Sequence, residues 1–588
     1  MKEAKAKVIS FVGASSSQLF WSILLAWSAM SIVGASRSAF GGHADASNTL
    51  TVAKNLLTGN GFTVNYVWAF FHLRPIPHPE DTWPLFYPTL VAISMAIFGN
   101  NPLGWRVPNI LLVVLTTCLL RRISLEIFKQ RSIANLTGVL YLALGPSDTI
   151  SIFNNTLLTF LFVLACYLAA KLTLQPTGGR MFRLGLAFGA LLLAKPDSVF
   201  IVAGISLGIV LLFLLEEKSF DRAAIFKSLY PVALPLVIAL ALWSPWLGRN
   251  YIVFGDPLFA EPRSLRIFHR HNNEVFPHEE AYAVRNPPEI REIIQRYGGV
   301  LPWLRTEGTI VYDGARRLLF SELGLLAFAS LIIAVSKRHW TRFEIRLLAV
   351  SLAGFICHAG FLLLHFYYVK RYFFPYLPIL LVFVIGHVVQ RVRDVSTLPR
   401  LIYCAVITVM LLVLAVPQMK QLFKPFRHGL PVPPDVEWIG KNIPPHSRVM
   451  TRDPWESYFH TEREAVMIPW GPLQDVKRIM KLYEVRYLVL RKPSRRPEQL
   501  QALLQKSEDG IVKVFEADSF VVFRADFERF EEGGIVQNEV ADRDEPSSAD
   551  FGRHAVMQRD AGARAAVQAL DGSRGILEGA VRSDSGGR

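Results

Sequence analysis

Long apolar stretches recur along this chain, separated by short segments rich in Lys and Arg, and that alternation constrains the fold more than any motif does. A helix that crosses a bilayer needs about 20 mostly apolar residues. Residues 17–37, 103–120, 133–151, 153–171, 182–195, 197–215, 229–247, 317–335, 346–364, 372–390 and 400–418 meet or approach that length. Residues 84–98, PLFYPTLVAISMAIF, are shorter; they open on Trp83-Pro84 and close on a Gly-Asn-Asn turn, and they read as an interfacial or re-entrant helix. The basic residues test that choice. With 84–98 not crossing and the N-terminus in the cytoplasm, every short basic loop falls on the inner side: Arg121/Arg122/Lys129/Arg131, Lys171/Arg180/Arg183, Lys218/Arg222/Lys227, Lys337/Arg338/Arg342/Arg346 and Arg391/Arg393/Arg400, as the positive-inside rule requires. If 84–98 crossed, all of them would lie outside.

The sequence therefore predicts a mainly α, polytopic membrane protein of about eleven transmembrane helices over residues 1–420. Three large regions lie outside: a first loop at 38–102 with interfacial helices, a second at 248–316, and a small α/β domain at 421–525. In that last region QDVKRIMKLYEV leads into RYLVLR, and IVKVFEA with FVVFRA reads as a closing hairpin. The tail from 526 is rich in Gly, Ala, Arg, Asp and Ser and reads as disordered. At 51% hydrophobic and 19% charged residues, the chain is too apolar for a soluble enzyme. Its net charge of +15 follows from the loops between spans and calls for no nucleic-acid partner. Cys118, Cys166, Cys357 and Cys404 lie in or beside apolar segments without any CxxC, which excludes a disulfide framework or a zinc cluster. MKEAKAK and the apolar run after it read as a retained signal-anchor.

The residues that break the charge rule point to chemistry. Lys195, Arg249, Lys370 and Arg371 stand at outer span ends, on the side that should be poor in basic residues. Such groups either snorkel to lipid headgroups or face a functional cavity; four together favour a lipid-linked phosphate, which guanidinium and ammonium groups bind with charge-assisted hydrogen bonds. Arg74, in the first loop, joins this donor-phosphate set. Asp45 lies just beyond the first span, at the head of a short polar helix with apolar residues at Leu50, Ala53, Leu56 and Leu57 that stops at Thr-Gly-Asn-Gly. Two readings of it stand: a helix cap, or a reactive carboxylate at the membrane surface. The rest of its loop, with His72, His78, Glu80 and Asp81, reads as a polar pocket over the bilayer where an acceptor meets a lipid-borne group. Divalent metal binding is only weakly signalled, because His43, Asp45, His72, His78, Glu80 and Asp81 have no compact ligand spacing; no cofactor is read.

A carboxylate just after the first span, then A-x-NLL-x-G-x-GF and a YP-T-L-x-A helix ending in FGNN, resembles the GT-C membrane glycosyltransferases. The nearest group is the bacterial branch related to protein mannosyltransferases and the aminoarabinose transferase of lipid A. The resemblance continues through PW-x-x-RN-Y-x-V-FG-x-P at Pro245–Pro257, RY-x-x-P-x-x-P at Arg371–Pro378, V-x-WI at Val436–Ile439 and Y-x-V-x-YLVL at Tyr483–Leu490. It implies a sugar donor carried on polyprenyl phosphate, a glycolipid, polysaccharide or protein acceptor, and transfer on the outer face of a bacterial inner membrane. Carried over, Asp45 is the first-loop catalytic carboxylate, and Arg249, Lys370 and Arg371 neutralise the leaving phosphate. The chain departs from the family pattern at Asn48-Thr49, where Tyr is frequent, and at Asn154-Asn155, where an acidic residue is common; Asp148 is the candidate substitute. Asp197 beside Lys195 allows a structural pair there. A flippase of lipid-linked sugars shares the spans and cations but predicts internal repeats, and a scaffold displaying the outer domain needs neither cations nor the carboxylate.

Overall fold

The computed structural model describes residues 2–144 except 43, 152–218, 221–321 except 261 and 274, 324–325, 327–328, 340–394 except 367, 431–492 and 510–530. Among these residues six helical segments are long and apolar enough to cross a membrane: Ser17–Ser36, Asn155–Leu174, Ser198–Glu217, Arg222–Phe254, Arg342–His365 and Arg371–Gln390. Helices Pro102–Phe128 and Gly178–Ala194 cover two further expected spans, and Arg131–Leu144 covers the described part of 133–151, of which residues 145–151 lie outside the described residues. Most of 317–335 and all of 400–418 lie outside the described residues. The chain is an integral membrane protein, mainly helical.

Close backbone approach holds the helices together, as expected where lipid offers no hydrophobic drive for association. At Gly204 a Cβ would come within 2.5 Å of the Ala353 carbonyl oxygen and 2.8 Å of Gly354 Cα, so helix Ser198–Glu217 lies directly on helix Arg342–His365. Gly185 and Gly189 meet Ile238 and Leu242 of the Arg222–Phe254 helix in the same way. Residues 84–98 form a 13-residue helix, Phe86–Phe98, too short to span. It buries Tyr87, Val91 and Met95 while leaving Ile93, Ile97 and Phe98 exposed. Asn101 then caps the next helix, its Oδ1 accepting from the Leu103 and Gly104 amides at 3.0 and 3.1 Å, with Pro102 in the first turn, where its missing N–H costs nothing.

Residues 1–526 form one compact unit; the short 3-10 turn Phe527–Phe530 belongs to a second. Helix Ala44–Leu57 buries Ala46 to Ala53 and ends where Gly59 and Gly61 take positive φ, a conformation that favours glycine. Beyond it, strands β1 (Thr63–Val64) and β3 (His78–Pro79) pair antiparallel, while β2 (Tyr66–Val67) leaves to join a larger sheet. With β4 (Arg448–Thr451), β5 (Ala465–Met467), β6 (Val485–Arg491), β7 (Ile511–Glu516) and β8 (Phe520–Ala525), the order is β2-β5-β4-β6-β8-β7. The pairs β2/β5, β5/β4 and β4/β6 are parallel; β6/β8 and β8/β7 are antiparallel. Helix Pro454–Thr461 of this region presses on the Asp45 helix: the Gly41 amide donates to His460 Nε2 at 3.3 Å, Phe40 stacks on the His460 ring, and Lys54 pairs with Glu462. The second outer loop packs Leu265, Phe268, Phe276 and Ala281 against Ala69 and Phe71 of the first.

Candidate functional site

Asp45 lies in the first turn of helix Ala44–Leu57. Its carboxylate is engaged by Arg371: Nη2 is 2.9 Å from Oδ2, with both side chains about one-third exposed. Arg371 comes from the 3-10 turn Lys370–Tyr376, and its guanidinium lies 4.9 Å from the Phe153 ring centroid and 5.4 Å from that of Tyr372. Asp45 faces a small pocket shared with Trp83, Pro84, Tyr87 and Asn154, of about 10 Å³, which is room for about one water.

Trp83 and Pro84 also line a cavity of about 350 Å³, within the size range of small-molecule sites. Its wall includes the aromatic rings of Trp243, Trp246 and Tyr372, and it carries two cations, Lys195 and Arg266. Lys195 is buried; its Nζ lies 2.8 Å from Asp197 Oδ2 and 4.1 Å from the Tyr372 ring centroid. His358 Nε2 is 3.2 Å from the same Asp197 oxygen. Arg266, from helix Pro262–Arg270, lies over the Phe361 and Phe366 rings.

The other first-loop residues do not meet at Asp45. Glu80 is buried, and its Oε1 accepts from the Thr82 and Trp83 amides at 2.8 Å each and from Asn48 Nδ2 at 3.1 Å. Tyr66 donates its hydroxyl to Asn48 Oδ1 at 2.7 Å. Burial and the neighbouring Asp81 push the Glu80 carboxyl up to about 7, against the opposing pull of its hydrogen-bond donors. His72, Arg74, His78 and Asp81 line a separate small pocket beside Val67. Burial brings His78 down to about 4 despite Asp81, so at neutral pH it is uncharged, and the charge of Asp81 is answered by Arg74 Nε at 3.2 Å. Burial, followed by Arg74, also lowers His72. Arg249 sits among Trp246, Phe254 and Phe62, its Nη1 donating to Asn250 Oδ1 at 2.9 Å; Asn250 itself lines the large cavity.

Two candidates escape description: Asp148 lies outside the described residues, as does the side chain of Lys370. Arg266 was not singled out from the sequence, although EPRSLRIFHR carries a signal. Arg263, Arg266 and Arg270 recur at helical spacing opposite Leu265 and Phe268. Among the described residues no group of three His, Cys, Asp or Glu side chains is placed to hold a metal ion.

Residues 82–248, which contain the Trp83–Pro84 wall and Lys195, match the family model for dolichyl-phosphate-mannose-protein mannosyltransferase. No curated protein matches the chain by sequence. The archaeal oligosaccharyltransferase AglB from Archaeoglobus fulgidus, solved with an inhibitory peptide and a dolichol-phosphate, aligns over 88% of this chain and 75% of its own, with TM-score 0.53 and 12% identity. ArnT from Cupriavidus metallidurans, bound to undecaprenyl phosphate, aligns over 86% of this chain and 97% of its own, with TM-score 0.50 and 14% identity. At these identities the likeness is one of fold. The resemblance read from the sequence is borne out to this extent: residues 82–248 match the mannosyltransferase family model, and the chain shares its fold with AglB and ArnT.

Proposed function

We propose that this protein transfers a sugar from a polyprenyl-phosphate donor to a lipid, glycan or protein acceptor on the outer face of a bacterial inner membrane, with the N-terminus in the cytoplasm. The observation that carries the reading is a carboxylate pocket and a cation-bearing aromatic cavity sharing one wall, Trp83–Pro84. The structural neighbours hold dolichol-phosphate and undecaprenyl phosphate, and a lipid phosphate suits a cavity in which Lys195 and Arg266 offer donors and Trp243, Trp246 and Tyr372 offer apolar rings. In this reading the acceptor hydroxyl enters beside Asp45, which takes its proton while the oxygen attacks the anomeric carbon. The bond from that carbon to the phosphate oxygen breaks, its electron pair stays on the departing polyprenyl phosphate, and Lys195, Arg266 and Arg371 neutralise the charge that develops. A single displacement inverts the anomeric configuration, and no nucleotide, metal or other cofactor is assigned a part.

The test compares wild type with Asp45→Asn, at matched membrane levels, in membranes supplied with radiolabelled polyprenyl-phosphate sugars. Label should pass into a lipid, glycan or protein fraction, and the variant should lose at least about 100-fold in rate, the lower bound for a missing general base. Equal transfer by both proteins would remove Asp45 from catalysis. No transfer by wild type from any donor would refute the reading.

A further inference from the structure

Arg371 is placed to do more than neutralise a leaving group, because in this structure it occupies the proposed base. Its Nη2 holds Asp45 Oδ2 at 2.9 Å. With the guanidinium on it, that oxygen is engaged and not open to an acceptor hydroxyl. The pair is partly open to solvent, at 34% and 32% side-chain exposure, so the guanidinium can leave without stranding a buried charge. Its neighbours lead to the donor cavity: the Arg371 guanidinium stacks near Tyr372, Tyr372 lines the cavity, and Lys195 Nζ lies over the same ring. Lys195 is already held by Asp197, and Asp197 also faces His358.

We propose that Arg371 is a donor-operated latch. In the unloaded enzyme it holds Asp45; an arriving lipid phosphate draws the guanidinium away and so frees the carboxylate to act on the acceptor. A phosphate monoester or diester offers bidentate, charge-assisted acceptors that compete with a carboxylate for guanidinium, and the ligand shifts the pair by its preference for the open arrangement. The base is then active only while donor is bound, and the donor must bind before the acceptor. The inference rests on the donor site set out under the proposed function and adds the coupling between its two halves.

The experiment reads Asp45 directly. Full-length protein in detergent is treated with a water-soluble carbodiimide and glycine ethyl ester, with and without undecaprenyl phosphate, and amidation of the Asp45 peptide is followed by mass spectrometry. Lipid binding is followed in parallel by quenching of tryptophan fluorescence, since Trp83, Trp243 and Trp246 line the cavity. In wild type, undecaprenyl phosphate should raise the Asp45 amidation rate at least about fivefold, the low end of ordinary site-to-site coupling. Arg371→Gln should be amidated rapidly whether or not lipid is present, and Arg371→Lys, which keeps the charge, should retain the lipid dependence even if the Gln variant folds poorly. Bound lipid that leaves wild-type amidation unchanged or lowers it overturns the latch while leaving the donor site standing. A lipid-dependent rise that persists in Arg371→Gln overturns it as well. Failure of undecaprenyl phosphate to bind at all removes the donor site and the latch together.

Discussion

Replacing Glu80 by Gln removes a titration that the structure makes unfavourable. Glu80 is fully enclosed, with Asp81 beside it, and its carboxyl is pushed from an ordinary value of 4.5 up to about 7. Below pH 4.5 both folded and unfolded chains carry it protonated. Between 4.5 and about 7 the folded chain keeps the proton while the unfolded chain gives it up. Glu80 therefore supports the fold at low pH, and that support is lost as pH rises through about 7. At about 1.4 kcal/mol per pH unit the gap corresponds to about 3 kcal/mol. Unfolding entropy of about 2 cal/mol/K per residue, over residues 1–526, turns this into a Tm change of roughly 3 °C. Gln keeps an Oε1 for the Thr82 and Trp83 amides and for Asn48 Nδ2 but cannot ionise. Thermal unfolding in detergent, followed by intrinsic fluorescence at pH 5 and pH 8, is the assay. The Tm of Glu80→Gln minus that of wild type should rise by about 2 °C between the two pH values, because the unfolded chain has already lost much of its Glu80 proton at pH 5. A difference that does not move with pH would mean that Glu80 is not held protonated by its surroundings, and the electrostatic account of the first loop would fall with it.

Lys195→Met leaves Asp197 with His358 as its remaining short-range partner and should cost about 3–5 kcal/mol, as removing one partner of a buried pair does. Adding Asp197→Asn should restore much of that stability while the donor KM stays at least tenfold raised, about the loss of one charge-assisted contact; recovery of both would make Lys195 purely structural. Gly204→Leu places a side chain where a Cβ already comes within 2.5 Å of the Ala353 carbonyl oxygen. It should lower stability by about 3 kcal/mol or prevent assembly, read as lost Tm and lost monodispersity; a wild-type melting curve would show that the two helices can part without cost.

The membrane helices were legible because their signal is local: one bilayer thickness per apolar run. Six of them satisfy length and composition on their own. The pairing of β2 with β5 was not legible. Two residues, Tyr66 and Val67, carry no strand pattern of their own; their partners are Ala465 and Val466, and only the sheet reveals them. What this pairing does for the site follows from position. The first loop supplies an edge strand to the outer sheet, and helix Pro454–Thr461 presses back on the helix that carries Asp45, through His460, Phe459 and Glu462.

Of the site, the residue types were legible and their partners were not. Asp45 and Arg371 each stood out, one as an acid beyond a span and the other as a base where basic residues should be scarce. No spacing rule joins positions 326 residues apart. Glu80 was read as a pocket residue from its polar company, yet its oxygen bonds the backbone of Thr82 and Trp83, and Trp83 lines both cavities. The polarity of a loop thus identifies which groups need partners but not whether a substrate or the chain itself provides them. Arg371 meets that need both ways: the structure gives it Asp45, and the cavity proposed for the donor is lined by its own neighbour, Tyr372. A cation with two such claimants is where binding at one pocket can be felt at the other, because satisfying the phosphate and satisfying the carboxylate draw on the same guanidinium.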